Sequence, residues 1–404
     1  MTRDEARALD AIDPFAPFRD RFALPDGVIY LDGNSLGPLP HAVAPAVADT
    51  VTRQWGERLI RSWNEGWIEA PARIGGLIAP LIGADADEVI VGDPTSTHLF
   101  KALVAALRLD PKRRVVVSEL GNFPTDLHIA EGAVSCVDGA RLRAVPRDQL
   151  ADALGPDVGV LLLTHVHYKT AERFDMADWT ARAHAAGAIV LWDLSHSVGA
   201  VPIDLHAADV DLAAGCTYKY LNGGPGAPAF LFVARKWQDR LTQPLSGWMG
   251  HAEPFAFEDG YRPAAGMARW LVSTPAMLSM ASLEAALSLW AEVDRTALWT
   301  KSAALFDILA AAGDALGLAC VTPRDATQRG SHISFRHPHA YALAQALIAR
   351  GVIGDFRSPD ILRLGLTPLY LSHEEVWRAG QLLGDVLASE PWHDEQFTRK
   401  LAVT

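Results

Sequence analysis

The residues that could do chemistry in this chain stand where apolar runs end. Leu191–Trp192–Asp193–Leu194–Ser195–His196 closes one such run with an acid and, three residues later, a histidine. A carboxylate buried at a strand end needs a cationic partner, because an isolated charge is costly to remove from water. Thr217–Tyr218–Lys219–Tyr220 closes the next run with an amine between two phenols, and lysine is the side chain that forms Schiff bases. Leu221–Asn222–Gly223–Gly224–Pro225–Gly226 follows at once, a glycine run that permits a sharp turn and close approach of backbone to a ligand. Gly92–Asp93–Pro94–Thr95–Ser96–Thr97 lies between an apolar run and a helical stretch, so hydroxyls and N–H groups gather at a helix N-terminus, a ready phosphate site. One cofactor answers all four features, pyridoxal 5'-phosphate. Its aldehyde suits the lysine, its phosphate suits the helix terminus, and its ring nitrogen becomes an electron sink when an acid keeps it protonated. Each feature alone is common, since a strand-ending Asp is often a helix cap. Their joint order carries the reading.

The elements needed to bring these residues together are visible in the pattern. Short apolar runs at 89–92, 114–118, 158–164, 188–193, 212–217 and 228–233 alternate with helical stretches such as 97–109 and 176–186. That rhythm predicts a mainly parallel sheet covered by crossover helices, an α/β core over roughly 45–270. Ligands bind outside the C-terminal strand ends of such sheets. After Pro275 the pattern changes to helices at 276–293 and 298–316, a strand at 331–336, a helix at 340–350 and another from Ser372, a smaller α/β domain over 271–404. Residues 1–44 are an N-terminal segment expected to pack with that domain. No repeat or low-complexity linker separates the parts, so they are expected to pack together.

The 404 residues are 50% hydrophobic and 21% charged, with mean hydropathy +0.09, the composition of a globular chain rather than a disordered polymer. Net charge is -12, and basic residues are scattered, which argues against nucleic acid. No apolar run reaches membrane-spanning length, and the first thirty residues lack the apolar core of a signal peptide, so a cytoplasmic protein is expected. Cys136, Cys216 and Cys320 are odd in number and irregular in spacing, and are read as buried thiols.

Six blocks, in order, carry a resemblance: Tyr30–Leu31–Asp32–Gly33–Asn34–Ser35–Leu36–Gly37, Asn122–Phe123–Pro124–Thr125–Asp126, Asp193 through Gly199, Tyr218–Lys219–Tyr220–Leu221–Asn222, Gly247–Trp248–Met249–Gly250–His251, and Leu362–Arg363–Leu364 with Thr367–Pro368–Leu369–Tyr370. The chain resembles the kynureninase family almost end to end. The resemblance implies the fold-type-I architecture of pyridoxal enzymes, aminotransferase class V-like, and hydrolysis of L-kynurenine, with 3-hydroxy-L-kynurenine as a second substrate, to anthranilate or 3-hydroxyanthranilate and L-alanine. It implies that Lys219 holds the cofactor and shuttles protons, that Asp193 pairs with the ring nitrogen, that His196 lies near the ring and that Phe123 stacks on it. Thr95, Ser96, Tyr218 and Trp248 would serve the phosphate, with Asp126 and Thr164 in the cofactor shell. Thr274 matches a position given by a neighbouring subunit, which implies a homodimer. Arg363 would fork the substrate's α-carboxylate, a task suited to a planar bidentate donor. Ser35, Trp63 and His251 would wall the aryl pocket, and Trp63 would crowd a ring hydroxyl, favouring kynurenine. Tyr218 is a candidate acid/base, on the expectation that a nearby phosphate lowers its pKa.

Other readings stand beside these. His165 and His167 alternate on a strand end and could hold a metal, but no cysteine or carboxylate pair stands at ligand spacing. Trp55, Arg58 and Arg61 fall at helical spacing, consistent with a packed helix face. Arg357 competes with Arg363 for the carboxylate. A cysteine desulfurase would share the acid and the lysine but needs a reactive loop cysteine, whereas Cys320 sits in an apolar run. A non-catalytic cofactor-binding homologue could lose Lys219 or Arg363, yet both are present. No G-x-G-x-x-G follows an early strand, which disfavours a dinucleotide dehydrogenase.

Overall fold

Residues whose apolar side chains run without alternation are buried on both faces, and here they form the middle of a seven-stranded sheet. The computed structural model describes residues 1–400. Its first part contains α1 (Arg3–Asp10), α2 (Ala70–Ile78), β1 (Val89–Val91), α3 (Thr95–Leu107), β2 (Val115–Glu119), α4 (Pro124–Ser135), β3 (Arg141–Val145), β4 (Val158–Thr164), α5 (Met176–Ala185), β5 (Ile189–Asp193), β6 (Leu212–Gly215) and β7 (Phe230–Val233). The strand order is β1-β7-β6-β5-β4-β2-β3. All pairings are parallel except those of β7, which runs antiparallel to both neighbours. Every residue of β2, β4 and β5 is buried, and successive side chains enter two separate cores: Val190 and Trp192 one, Ile189 and Leu191 the other. That is the two-sided burial expected of a parallel sheet between helical layers.

The second part contains α6 (Met277–Leu287), α7 (Arg295–Ala315), β8 (Ala319–Cys320), β9 (His332–Arg336), α8 (Ala340–Ile348), β10 (Asp355–Arg357), β11 (Ile361–Gly365) and α9 (His373–Ala388). Its sheet is antiparallel, in the order β10-β11-β9-β8. α9 starts at a capping box in which Ser372 and Glu375 satisfy each other's backbone N–H. The N-terminal segment is tied here: Ile29–Tyr30 pairs with Val352–Ile353, α1 lies on α9, and Arg19 donates to the Tyr370 carbonyl at 2.6 Å.

Several expectations shift. α3 begins at Thr95 rather than 97, so Thr95 and Ser96 are themselves the first helical turn. β3 gave no apolar signal because it is an edge strand carrying Arg141 and Arg143. The stretch 276–293 is a helix only to Leu287 and then a tight 3₁₀ turn over Ser288–Glu292. Trp55 is exposed rather than packed, on a wide helical turn over Thr50–Arg58 that ends at Leu59 with φ 56°. Of the three cysteines read as buried, only Cys216 is; Cys136 is exposed and Cys320 half-buried, because they fall at a helix end and on a two-residue strand.

Candidate active site

The parallel strands β4, β5 and β6 end side by side, and register does the first positioning. Thr164, the last residue of β4, pairs with Asp193, the last of β5, and Asp193 pairs in turn with Ala214 of β6. Immediately beyond Asp193 the chain turns back on the carboxylate: Oδ1 accepts from the Ser195 amide at 2.9 Å and its hydroxyl at 2.6 Å. Four residues after β6 comes Lys219, whose Nζ lies 3.0 Å from His196 Nε2. α3 presents Thr95 and Ser96, and α4 presents Asp126, with Phe123 capping its start. Thr95, Ser96, Phe123, Asp126, Thr164, Asp193, His196, Tyr218 and Lys219 all line one cavity of about 300 Å³.

Two buried carboxyls share this cavity with Lys219. Asp193 and Asp126 are both buried, and Thr164 Oγ1 lies 3.1 Å from Asp126 Oδ2. Burial raises both carboxyls above their ordinary range, and the charge of Asp193 raises Asp126 further, so Asp126 is the member that holds a proton. Lys219 opposes the rise at both. His196 is held neutral, first by burial and then by Lys219, so its Nε2 is free to accept from Lys219 while, among the described residues, its buried Nδ1 has no partner. Tyr218 moves opposite to expectation: burial, and then the neighbouring Cys216 thiol, push its phenol above the ordinary value. In the protein alone it is a proton donor, not a base. A protonated pyridine nitrogen fits beside Asp193, an aldehyde fits Lys219, and a phosphate fits the first turn of α3, whose early N–H groups have no helical acceptor.

Asn122 completes this arrangement and was not among the candidates, though it lies in a block that the resemblance used. Its Oδ1 accepts from the Phe123 amide at 2.7 Å and from Thr164 Oγ1 at 2.5 Å, joining the aromatic lid to the strand end. Ser195 and Thr125 also line the cavity.

A second group lies beside the first. Asp355 and Arg363 are partners across β10 and β11. Arg363 donates from Nε to Asp355 Oδ1 at 2.8 Å, from Nη2 to Asp355 Oδ2 and to Ser35 Oγ, and from Nη1 to the Tyr168 carbonyl. The fork that was expected to be open to a substrate carboxylate is therefore largely occupied from within. Burial alone would raise Asp355, but Arg363 holds it down to about 2. Asp32, also near, is pushed up to about 8 by burial and then by the charge of Asp355.

Four expected residues lie elsewhere in the single chain. Trp248 is exposed, edge-on to Phe255 at 5.5 Å, and lines a separate hollow of about 360 Å³ with His251, whose ring nitrogens are engaged by Gly260 and Glu253 backbone groups. Trp63 is half-buried edge-on to Trp67, and Thr274 is exposed. His165 and His167 point to different partners, Ser197 Oγ and the Gly121 carbonyl.

A family model for the kynureninase C-terminal domain matches residues 298–383. Over its whole length the chain is 51% identical to a kynureninase of Burkholderia mallei (strain SAVP1) and 50% identical to one of Pseudomonas fluorescens, each also covered in full. The chain belongs to the kynureninase family. Like other kynureninases it is a pyridoxal-phosphate enzyme and a hydrolase of carbon–carbon bonds in ketonic substances. Among solved structures its fold is similar to an apo cysteine desulfurase from Thermococcus onnurineus NA1, with TM-score 0.80 and 17% identity over 93% of this chain and 98% of that one. It is also similar to the cystine C–S lyase C-DES in complex with cysteine persulfide, with TM-score 0.77 and 19% identity over 89% and 98%. At those identities the likeness is one of fold. Neither Cys216 nor Cys320 supports the desulfurase alternative: burial raises Cys320, whose Sγ donates to the Thr322 carbonyl, and Cys216 is enclosed and likewise raised.

Proposed function

We propose that this kynureninase hydrolyses L-kynurenine to anthranilate and L-alanine at the Lys219 cavity, acts as a homodimer and works in the cytoplasm. The observation that carries the site is Lys219 Nζ held 3.0 Å from neutral His196 in the cavity that Asp193 and Asp126 also line. Bound through Lys219, pyridoxal phosphate supplies a protonated ring that accepts the electron pair released at the substrate's Cα. Lys219 would take the Cα proton and return it. Asp193 keeps the ring nitrogen protonated, and Asp126, protonated beside it, leaves Asp193 as the charged member. Thr95 and Ser96 would hold the phosphate at the start of α3, and Phe123, anchored by Asn122, would lie against the ring. Tyr218, with its proton retained, would give that proton toward the substrate's carbonyl oxygen as water adds to the carbonyl carbon; when the Cβ–Cγ bond is cut the acyl group leaves as the carboxylate of anthranilate, and Cβ takes up a proton to become the methyl group of L-alanine. Ser35 and the Arg363 group serve the carboxylate end.

A second subunit is supported by the residues that do not reach the cavity of their own chain: Trp248, His251, Trp63 and Thr274 would approach a neighbour's. Trp63 therefore sets no substrate preference within one subunit. Among the described residues, no helix is long and apolar enough to cross a membrane. The test supplies purified holoenzyme with L-kynurenine, 3-hydroxy-L-kynurenine and L-cysteine separately. Equimolar anthranilate and alanine from the first, with loss of turnover in Lys219→Ala, is the expected result; sulfur release from cysteine without anthranilate would sink the reading.

A further inference from the structure

Resting on the reading of Lys219 as the proton carrier, we propose that His332 is a positioning residue for the reaction. Its imidazole accepts a hydrogen bond from His196 Nδ1 and so keeps His196 Nε2 as the acceptor that aims Lys219. The juxtaposition begins in β9. Ile333 and Phe335 enter the apolar core, so His332 and Ser334 project from the opposite face of the strand. On that side Ser334 Oγ donates to the Lys169 carbonyl, in the loop after β4, at 2.5 Å. Tyr220 Oη donates to the Ser331 carbonyl at 3.2 Å, which pins the residue after Lys219 to the residue before His332. The ring of His332 then lies 5.7 Å from that of His196, with 61° between their planes.

Hydrogen-bond accounting makes the pair specific. A neutral imidazole has one N–H donor and one acceptor nitrogen, and the partner of one nitrogen decides where the hydrogen sits. His196 is neutral, and with Nε2 accepting from Lys219 at 3.0 Å its hydrogen is on Nδ1. That N–H is buried and, among the described residues, bonds to nothing. His332 is fully buried, and neither of its ring nitrogens has a partner among the described residues. Burial and then the Arg363 charge keep His332 neutral; His167 and Lys219 act the same way and Asp355 against them, so His332 retains an acceptor nitrogen. A turn of either ring about its Cβ–Cγ bond lets the buried donor and the buried acceptor satisfy each other, at small cost beside two bonds left unmade.

The consequence reaches the lysine. With an acceptor at Nδ1, His196 keeps the lone pair of Nε2 pointed at Lys219. Without one, the hydrogen is equally well placed on Nε2, which then offers Lys219 nothing to donate to. His332 itself touches neither Lys219 nor the Lys219 cavity; it acts through the tautomer of His196, which lines that cavity. A packing role for His332 needs only the shape of its ring, whereas this role needs a hydrogen-bond acceptor, and the two are separable by substitution.

The experiment compares wild type, His332→Leu, His332→Phe and His332→Gln as holoenzymes. Three quantities are read: kcat and KM for L-kynurenine, the isotope effect on kcat with substrate deuterated at Cα, and the pH midpoint of the visible absorbance of the lysine-bound cofactor. Leu and Phe fill the space without an acceptor. Both are expected to lower kcat about 10- to 100-fold with KM nearly unchanged and to raise the isotope effect. Both should also move the midpoint to lower pH, because the Lys219 nitrogen loses the acceptor that favours its proton. Gln, whose side-chain carbonyl accepts, is expected to keep all three close to wild type. If one apolar variant fails to fold, the other and Gln still decide. Equal losses in all three variants would show a packing role and overturn the proposal, as would an unchanged midpoint and isotope effect in Leu and Phe. A wild type that titrates its bound cofactor but releases no anthranilate would remove the reaction, and the midpoints would still decide the assignment of His332, because they do not use turnover.

Discussion

The side chains of the site are charged groups that have lost water and found each other, and their protonation is the property most open to test. Asp32 faces Asp355, Arg363 and Arg357, with the Tyr30, Tyr220 and Tyr370 phenols nearby. Its carboxyl, about 4 in an unfolded chain, stands at about 8 in the fold, raised by burial and by Asp355. The folded protein therefore binds a proton that the unfolded chain has released between about pH 4 and 8, and Asp32's contribution to stability falls as pH rises through that window. Above about pH 8 its new negative charge competes with a substrate carboxylate for the guanidiniums. Asp32→Asn is expected to flatten the decline of Tm across that window and to abolish a rise in KM above about pH 8; a KM limb that persists in the variant would assign it to another group. At this scale the sequence was legible wherever a polar residue interrupts an apolar strand, as Asp193 does, or follows one closely, as Lys219 does. It was not legible where partners are remote in the chain: Ser35 and Asp355 meet across 320 positions, and nothing in either's neighbours announces the other. The direction of the Tyr218 shift was missed because enclosure, with Cys216 beside it, dominates.

The elements position these groups through close backbone approach as much as through side chains. Gly37 donates its N–H to the Tyr218 carbonyl at 2.8 Å, and a Cβ there would stand 2.2 Å from the Lys219 carbonyl and 2.5 Å from Asn222 Nδ2. The block around Asp32 thus docks the N-terminal segment directly onto the lysine loop, which is why only glycine fits. Gly37→Ala should cost about 1–3 kcal/mol and loosen cofactor retention, measured by denaturation and by dialysis of the holoenzyme. Gly132, exposed in α4 with open space at its Cβ, is the contrast, and Gly132→Ala should stabilise by about 0.5–1 kcal/mol. Equal effects from the two changes would refute the docking argument. The inner strands were legible because parallel strands buried on both faces read as unbroken apolar runs. The edge strand β3 and the three-residue β10 were not, since short or polar strands borrow their structure from neighbours.

At the scale of the whole molecule, the single chain leaves apolar surface in the open. Val51, Trp55, Leu59 and Ile60 are exposed along one segment, at 40%, 59%, 56% and 76%. Contiguous exposed apolar residues of this size mark interaction surfaces, and the proposed dimer offers a partner of the same sequence. Sedimentation of the holoenzyme is expected to give a dimer, and Trp55→Asp with Ile60→Asp to shift it toward monomer; a monomeric wild type would remove the second subunit from the site. Lys219 is the residue proposed to carry the cofactor, and that role can be tested directly. Reduction of the pyridoxal-phosphate-loaded protein with borohydride, followed by digestion and mass mapping, fixes the cofactor to the lysine that holds it. The phosphopyridoxyl group is expected on the peptide containing Lys219 and nowhere else. The label on another lysine, such as Lys101 or Lys301, with Lys219 unmodified, would contradict it.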